Sequence, residues 1–494
     1  MGIIYRQTIK GTIYIYLGAI LGFINIAVLM QYFLVPNEIG LINLLIAISV
    51  IFAQFSTLGF NEVTTRLFSY FRNNEAKHNG FLFLAVSTAF IGFILVLIIF
   101  IFLKPFLISR NIEKSPLFVE YILLLVPLFF FNLFFNLFDN YNKVLYNSTL
   151  GIFLKEIFIR ICILFDLGLY AFKIIDFKLF VIIYVISQCL PAILLMTYLI
   201  KEKQFSLRPD FSIFSKGLKK QIIGVASFGL LSSVGTVAAV NFDKYMVNNY
   251  MDLRFTGIYS IAFYFGTLIV LPARALIKVS SAVIADAWKN KDIAKINLIY
   301  HKSCLNQFII ALLLLLLLVL NMHNIFKFLR PAYATGATVI IIIGIANMIE
   351  MLSGTSAMII LTSKFYPLFT YIRIIAMITL VSLQVLLIPK YGINGAAWAF
   401  LINKILITGL KFSYIFIKFK MQPYNINFLF IIGAGIIAFS AGILFPRLDN
   451  YIFDLIIRAA LITISFFAFT ILTNISEEIN DFWVRIVRFI RNIV

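Results

Sequence analysis

Charge is scarce in this 494-residue chain, at 13% of residues, and acids are the scarcer sign, with 21 against 41 lysines and arginines. Such a sequence cannot build the densely charged surface of a water-soluble domain. Cysteine is also scarce. Cys162, Cys189 and Cys304 lie in or beside apolar runs with no paired spacing, which excludes a disulfide framework. The three histidines, His78, His301 and His323, fall at predicted loops or span ends, and no metal-ligand spacing joins them to acids or cysteines. No glycine-rich loop ending in lysine is present to cradle a nucleotide phosphate. The expectation is a protein with no metal, no cofactor, no built-in ATPase and no catalytic residues.

Apolar sequence is what the chain has in quantity: 62% hydrophobic, 16% aromatic, mean hydropathy +1.01. Runs long enough to cross a bilayer recur along the whole chain, so the fold class is an all-α polytopic membrane protein. The expected spans are 12–34, 39–60, 80–103, 117–138, 150–172 and 178–200, then 221–247, 256–279, 303–322, 333–361, 367–388 and 393–417, and finally 427–445 and 451–473. That makes about fourteen. They group as an N-terminal six-helix lobe (1–200), a basic connector (201–220), a second six-helix lobe (221–420), and two further helices with a tail (421–494). The opening segment, with Arg6 and Lys10, leads into a full span without a small-residue cleavage site and is expected to remain as the first helix. With the N-terminus in the cytoplasm, the inner loops carry about 22 lysines and arginines and the outer loops about 10, which puts both termini inside. The formal charge of +20 then reflects topology and attraction to anionic headgroups of the membrane lipids, and nucleic acid is not an expected partner. In 475–494, Phe482, Trp483, Ile486, Phe489 and Ile490 alternate with Arg485, Arg488 and Arg491, as in an amphipathic helix on the inner surface.

An internal repeat organises the first twelve spans. At an offset of 217, Gly40-Leu41 meets Gly257-Ile258, Phe71-Arg72-Asn73 meets Trp288-Lys289-Asn290, and Glu75 meets Asp292. In both halves this charged loop joins the second and third spans. An even number of spans separates the copies, so the halves share one orientation and form a parallel repeat. The stretch 221–247 stands out because it is apolar but carries Asn241, Asp243 and Lys244, and ionisable residues inside a span are functional candidates.

These features together carry a resemblance. About fourteen spans in a six plus six plus two plan, Val35-Pro36-Asn37-Glu38-Ile39-Gly40 after the first helix, Asp243-Lys244-Tyr245-Met246 in the seventh, and Tyr391-Gly392-Ile393-Asn394-Gly395-Ala396-Ala397 opening the twelfth resemble the Wzx-type polysaccharide and O-antigen flippases. These belong to the multidrug/oligosaccharidyl-lipid/polysaccharide (MOP) exporter superfamily, whose fold is MATE-like. The resemblance covers nearly the whole chain. It implies a bacterial inner-membrane protein that moves an undecaprenyl diphosphate-linked oligosaccharide, such as an O-antigen (lipopolysaccharide) or capsule repeat, to the outer leaflet. It implies alternating access of two lobes around a cationic cavity. It also implies a polysaccharide polymerase and chain-length proteins as downstream partners.

A diphosphate and its sugars cannot enter hydrocarbon unsatisfied, so the carrier needs a wet, partly cationic cleft. The deep cations are Lys155, Arg160, Lys244, Arg274, Lys278, Arg373, Lys404, Lys411 and Arg458, against the acids Glu156, Asp166, Asp243, Glu350 and Asp454. Lys155, Lys278, Arg373 and Lys411 lie near cytoplasmic ends, where snorkelling to the headgroups is the simpler expectation. The cavity candidates are Arg160, Lys404, Lys244 and Arg274, with the neutral Gln31, Gln54 and Asn61, each of which serves equally well as interhelical glue. The coupling or structural acids are Asp243, Glu350 and Glu156. Glu156 is one turn from Arg160, so an ion pair within the helix competes with cargo contact. Asp243 is expected to hold a cation from the other lobe, and Lys244 to snorkel. Glu350 lies in 347–356, where Ser353, Gly354, Thr355 and Ser356 allow the helix to bend. A cation-coupled multidrug exporter of the same superfamily is the alternative, but its cavity should be rich in acids. A polymerase or ligase fits less well, because the first outer loop has four residues and the longest only about a dozen.

Overall fold

The computed structural model describes residues 2–73, 75–210, 215–481 and 485. The side chains of several further helical residues, Arg274 and Lys278 among them, lie outside the described residues, as does most of the expected amphipathic tail. The described chain is helical, with no strand. Eleven helices are long and apolar enough to cross a membrane, or twelve if the bent pair Lys216–Gly235 and Val240–Tyr250 is one span. This is fewer than the fourteen expected, for two physical reasons. The helical stretch 149–171 carries Lys155, Glu156, Arg160 and Asp166, too much charge for an apolar span. The segments 367–388 and 393–417 fall in one helix, Tyr366–Phe419, which turns at Gly392 (φ 56°). Its 54 residues are more than twice the ~20 that one crossing needs.

The chain forms two compact units, Met1–Ile261 with Arg373–Ala396, and Ala262–Ile372 with Ala397–Val494. In the first unit, the Val35-Pro36-Asn37-Glu38 motif starts a helix. Pro36 opens Pro36–Ser56, where its missing N–H costs nothing, and the Glu38 carboxylate accepts the Val35 N–H at 2.9 Å. The following helix, Phe60–Phe71, ends at the aromatic residue of the repeated loop. Phe71 is fully buried with Phe68, Phe81, Phe129 and Tyr141 in the core of this unit. Its counterpart in the repeat, Trp288, packs against the core of the second unit, built on Tyr300, Cys304, Phe308 and Phe466. Asp292, the counterpart of Glu75, caps the next helix by accepting the Lys295 N–H at 2.9 Å.

The strongest trace of the repeat is a contact inside the first unit. A Cβ on Gly40 would lie 1.9 Å from the Leu253 carbonyl oxygen and 3.1 Å from the Gly257 nitrogen. A Cβ on Gly257 would lie 2.0 Å from the Pro36 carbonyl oxygen and 3.0 Å from the Gly40 nitrogen. Pro36 and Leu253 are themselves 217 residues apart, so the repeat-related residues meet one another reciprocally. Only glycine permits two backbones this close.

Two stretches of the first unit are wound as π-helix, Ile24–Met30 and Leu154–Phe158. In the second unit, Ala337–Leu352 stops and Ser356–Thr362 resumes after a turn in which Gly354 has φ 49°. Here the predicted bend is a complete break.

Candidate functional site

In the first unit Glu156 and Arg160 lie in and just beyond the second π-helical stretch. Such widened turns are frequent at functional positions. Glu156 lies inside it and Arg160 follows one turn later, and the two pair at 2.8 Å with side chains 21% and 25% exposed. Asn25, in the first π-helical stretch, donates from Nδ2 to the Arg160 carbonyl oxygen at 2.7 Å. Gly18 allows the first helix to approach the Glu156 backbone, since a Cβ there would lie 2.6 Å from that carbonyl oxygen. The arginine is therefore neutralised within its own helix, and Asn25, which sequence reasoning passed over, anchors it to the first helix.

The neutral candidates have varied settings. Gln31 directly follows the first π-helical stretch and is 1% exposed. Gln54 donates to the Thr57 hydroxyl at 3.3 Å, at the turn before Phe60–Phe71. Asn61, half-buried on the other side of that turn, accepts through its backbone from the Thr65 hydroxyl at 3.0 Å. Asp243 is buried, and among the described residues no cation side chain is its hydrogen-bond partner. Its two oxygens accept from the Tyr259 hydroxyl at 2.9 Å and the Lys244 backbone N–H at 2.8 Å. A phenol sixteen residues ahead satisfies the acid, and Lys244 is half-buried beside it. Arg373 donates to the Ser232 hydroxyl at 3.2 Å. Arg274 lies outside the described side chains.

The second unit concentrates its polarity at the broken helix. The last turn before the break carries Glu350, to which the Lys404 ammonium donates, with side chains 38% and 24% exposed. Lys411 is two turns beyond Lys404 and only 6% exposed, so it does not snorkel. Its Nζ donates to the Ser353 hydroxyl at 3.1 Å, and it interacts electrostatically with Glu350. Ser303 pins the far side of the break, its Oγ accepting the Thr355 N–H at 3.1 Å. Gly354 is packed against Ser303 and Cys304, whose atoms a Cβ would meet at 2.7 Å, and its positive φ independently favours glycine. One carboxylate thus serves two lysines. Sequence reasoning listed Lys404 and Glu350 separately, and their pairing across 54 residues had no signal in spacing.

Arg458 and Asp454 form a closed structural pair. The guanidinium holds the carboxylate by two hydrogen bonds, at 2.8 and 3.0 Å, and also donates to the Gly442, Phe445 and Pro446 carbonyls. Among the described residues, no three histidines, cysteines or acids converge as a metal site.

The fold of the described chain is shared with solved membrane flippases and transporters. An inward-closed structure of the lipid II flippase MurJ aligns with TM-score 0.73 at 17% identity, over 94% of this chain and 98% of that one. An inward-facing multidrug resistance MATE transporter of the MOP superfamily aligns with TM-score 0.64 at 12% identity, over 81% and 94%. A Vibrio cholerae MATE transporter in its bent form gives 0.51 at 12%, over 84% and 97%. No family model and no curated protein sequence matches the chain.

Proposed function

We propose that this protein is a flippase for a lipid-linked oligosaccharide, carrying an undecaprenyl diphosphate-linked glycan repeat across the bacterial cytoplasmic membrane by alternating access, with both termini inside. The observation that carries this reading is the excess of cation at the helix break, two lysines on one carboxylate. An exporter of cationic drugs gains nothing from a net positive interior, whereas a diphosphate does. The likeness to a lipid II flippase, over almost the full length of both chains, supports the same reading. Lys404 and Lys411 are the residues we assign to the anionic part of the cargo, with Glu350 holding them in place while the site is empty. A polymerase and chain-length proteins would receive the product.

The test is flipping in proteoliposomes containing the purified chain and a fluorescent undecaprenyl diphosphate-linked oligosaccharide, run beside efflux of a cationic dye. Protein-dependent loss of the glycan from one leaflet supports the proposal. Dye transport without glycan movement supports the multidrug exporter.

A further inference from the structure

The first unit also contains a polar pocket, lined by none of the ion-pair residues described above, at the end where Gln7 anchors the 146–148 turn. Its volume is about 280 Å³, just under the range usual for drug-sized ligand sites. It is built by the connectors around residues 72–80, 144–149 and 201–204. Residues 77–80 are four consecutive left-handed residues, with φ of 51°, 55°, 47° and 69°, a costly run when three of them are not glycine. The run places His78 inside the protein, 2% exposed. Its Nδ1 accepts the Asn73 N–H at 3.3 Å, so the ring proton is on Nε2 and is donated to Gln204 Oε1 at 2.9 Å. Gln204 uses its oxygen here and keeps its amide N–H groups.

The remaining lining is rich in donors. Arg72 lies over the Tyr146 ring at 4.4 Å, donates to the Tyr146 hydroxyl, and donates to the Val144 carbonyl at 2.5 Å. Two of its five N–H groups are thereby used. Asn142 is 2% exposed and its Nδ2 has no partner, although a buried amide donor is normally satisfied. Glu202 adds an exposed carboxylate, and the aromatic Tyr198 completes the wall.

We propose that this pocket binds one neutral sugar ring. A sugar hydroxyl both donates and accepts, so it can use the Arg72, Asn142 and Gln204 donors together with the Glu202 acceptor, while its C–H face lies on a tyrosine. One arginine and one glutamate leave the lining with no net charge, which gives a phosphate or a uronate no advantage. On the flippase reading, the ring is a sugar of the cargo, recognised at the face that the positive-inside count places in the cytoplasm, where loading occurs.

The experiment is saturation-transfer NMR and equilibrium dialysis of the full chain in nanodiscs, with glucose, galactose, N-acetylglucosamine, glucuronate and inorganic phosphate as separate probes. At least one neutral sugar is expected to bind, and Glu202→Gln, a change at an exposed position that leaves folding intact, is expected to weaken it ~10-fold, the loss of one hydrogen bond to a charged group. Asn142→Leu should weaken the same sugar. Three results would overturn the proposal: no neutral sugar binds, Glu202→Gln leaves binding unchanged, or phosphate or glucuronate binds more tightly than every neutral sugar. The two readings fail separately, since a chain that binds the sugar at this pocket but flips no lipid-linked oligosaccharide retains the site and loses the transport function.

Discussion

Glu156 and Arg160 form a local pair one turn apart on a single helix, whereas Glu350 takes Lys404 from 54 residues away and shares its field with Lys411. The first arrangement is self-contained. Its charges cancel and its geometry is fixed by the helix that carries it, so it asks little of tertiary structure. The second depends on a helix break, on Ser353 and on a distant helix holding register, and it retains a surplus positive charge. A neutral local pair positions backbone; a surplus cation held at a break can do work on an anion.

The comparison breaks most visibly through Glu350. Glu350→Gln should leave Lys404 and the largely buried Lys411 without their carboxylate, a loss of about 1–3 kcal/mol after allowing for the partial exposure of the pair. We expect a clear fall in membrane protein yield, rescued when Lys411→Met is added. Glu156→Gln should change yield little, and equal losses in the two variants would abolish the distinction. Next in size, Lys411→Met alone should preserve yield but reduce flipping of the diphosphate-linked glycan by ~10-fold, the effect of one charge-assisted contact. Normal flipping by this variant would remove the lysine from cargo binding.

The Glu350→Gln/Lys411→Met double variant sharpens the question of coupling. Flipping measured with and without an imposed proton or sodium gradient should lose its gradient response if Glu350 differs in partner between states. An unchanged response excludes Glu350 as the coupling group. Arg160→Gln should have a smaller effect, at most about 1 kcal/mol on stability because the pair is partly solvated, with reduced export if the guanidinium also contacts cargo. Surface glycan from this strain, compared with a Lys404→Gln strain, ranks the two units directly.

The smallest effect concerns a lysine shared by two glutamates. Lys302 bridges Glu477 and Glu478 at 2.9 and 2.7 Å, outside both sites. Burial pushes the Glu478 carboxyl up, but hydrogen bonds from Lys302, its own backbone and Asn306 more than offset this and leave it below its ordinary value. A depressed carboxylate stabilises the fold above its unfolded pKa and loses that contribution as pH falls through the folded value. The gap in melting temperature between wild type and Lys302→Met should therefore be present at pH 7 and close below about pH 4.

The same contrast explains what was legible in the sequence. Apolar runs, the Val35-Pro36-Asn37-Glu38 helix start, the Gly40/Gly257 register and the Glu156–Arg160 pair are all encoded by near neighbours or a fixed offset. The polar cluster 353–356 announced the helix break because serine, glycine and threonine weaken helical propagation. The partners of Glu350 and Asp243 were not legible. Tyr259 and Lys404 reach them only through tertiary packing, and an intramembrane acid in a sequence does not say whether a phenol or an ammonium will meet it. The π-helical stretches were equally silent, since Ile24–Met30 and Leu154–Phe158 have ordinary helical composition. Eleven or twelve helices qualify as spans by length and composition, short of the fourteen expected, because charge enters 149–171 and Gly392 turns a helix without ending it.

The reciprocal contact of Gly40 and Gly257 has the form of an isologous interface, residue 36 meeting 257 while 40 meets 253, in which the same patch on each partner meets itself across a dyad. A side chain at either glycine would drive both backbones apart and so break both halves of the contact at once.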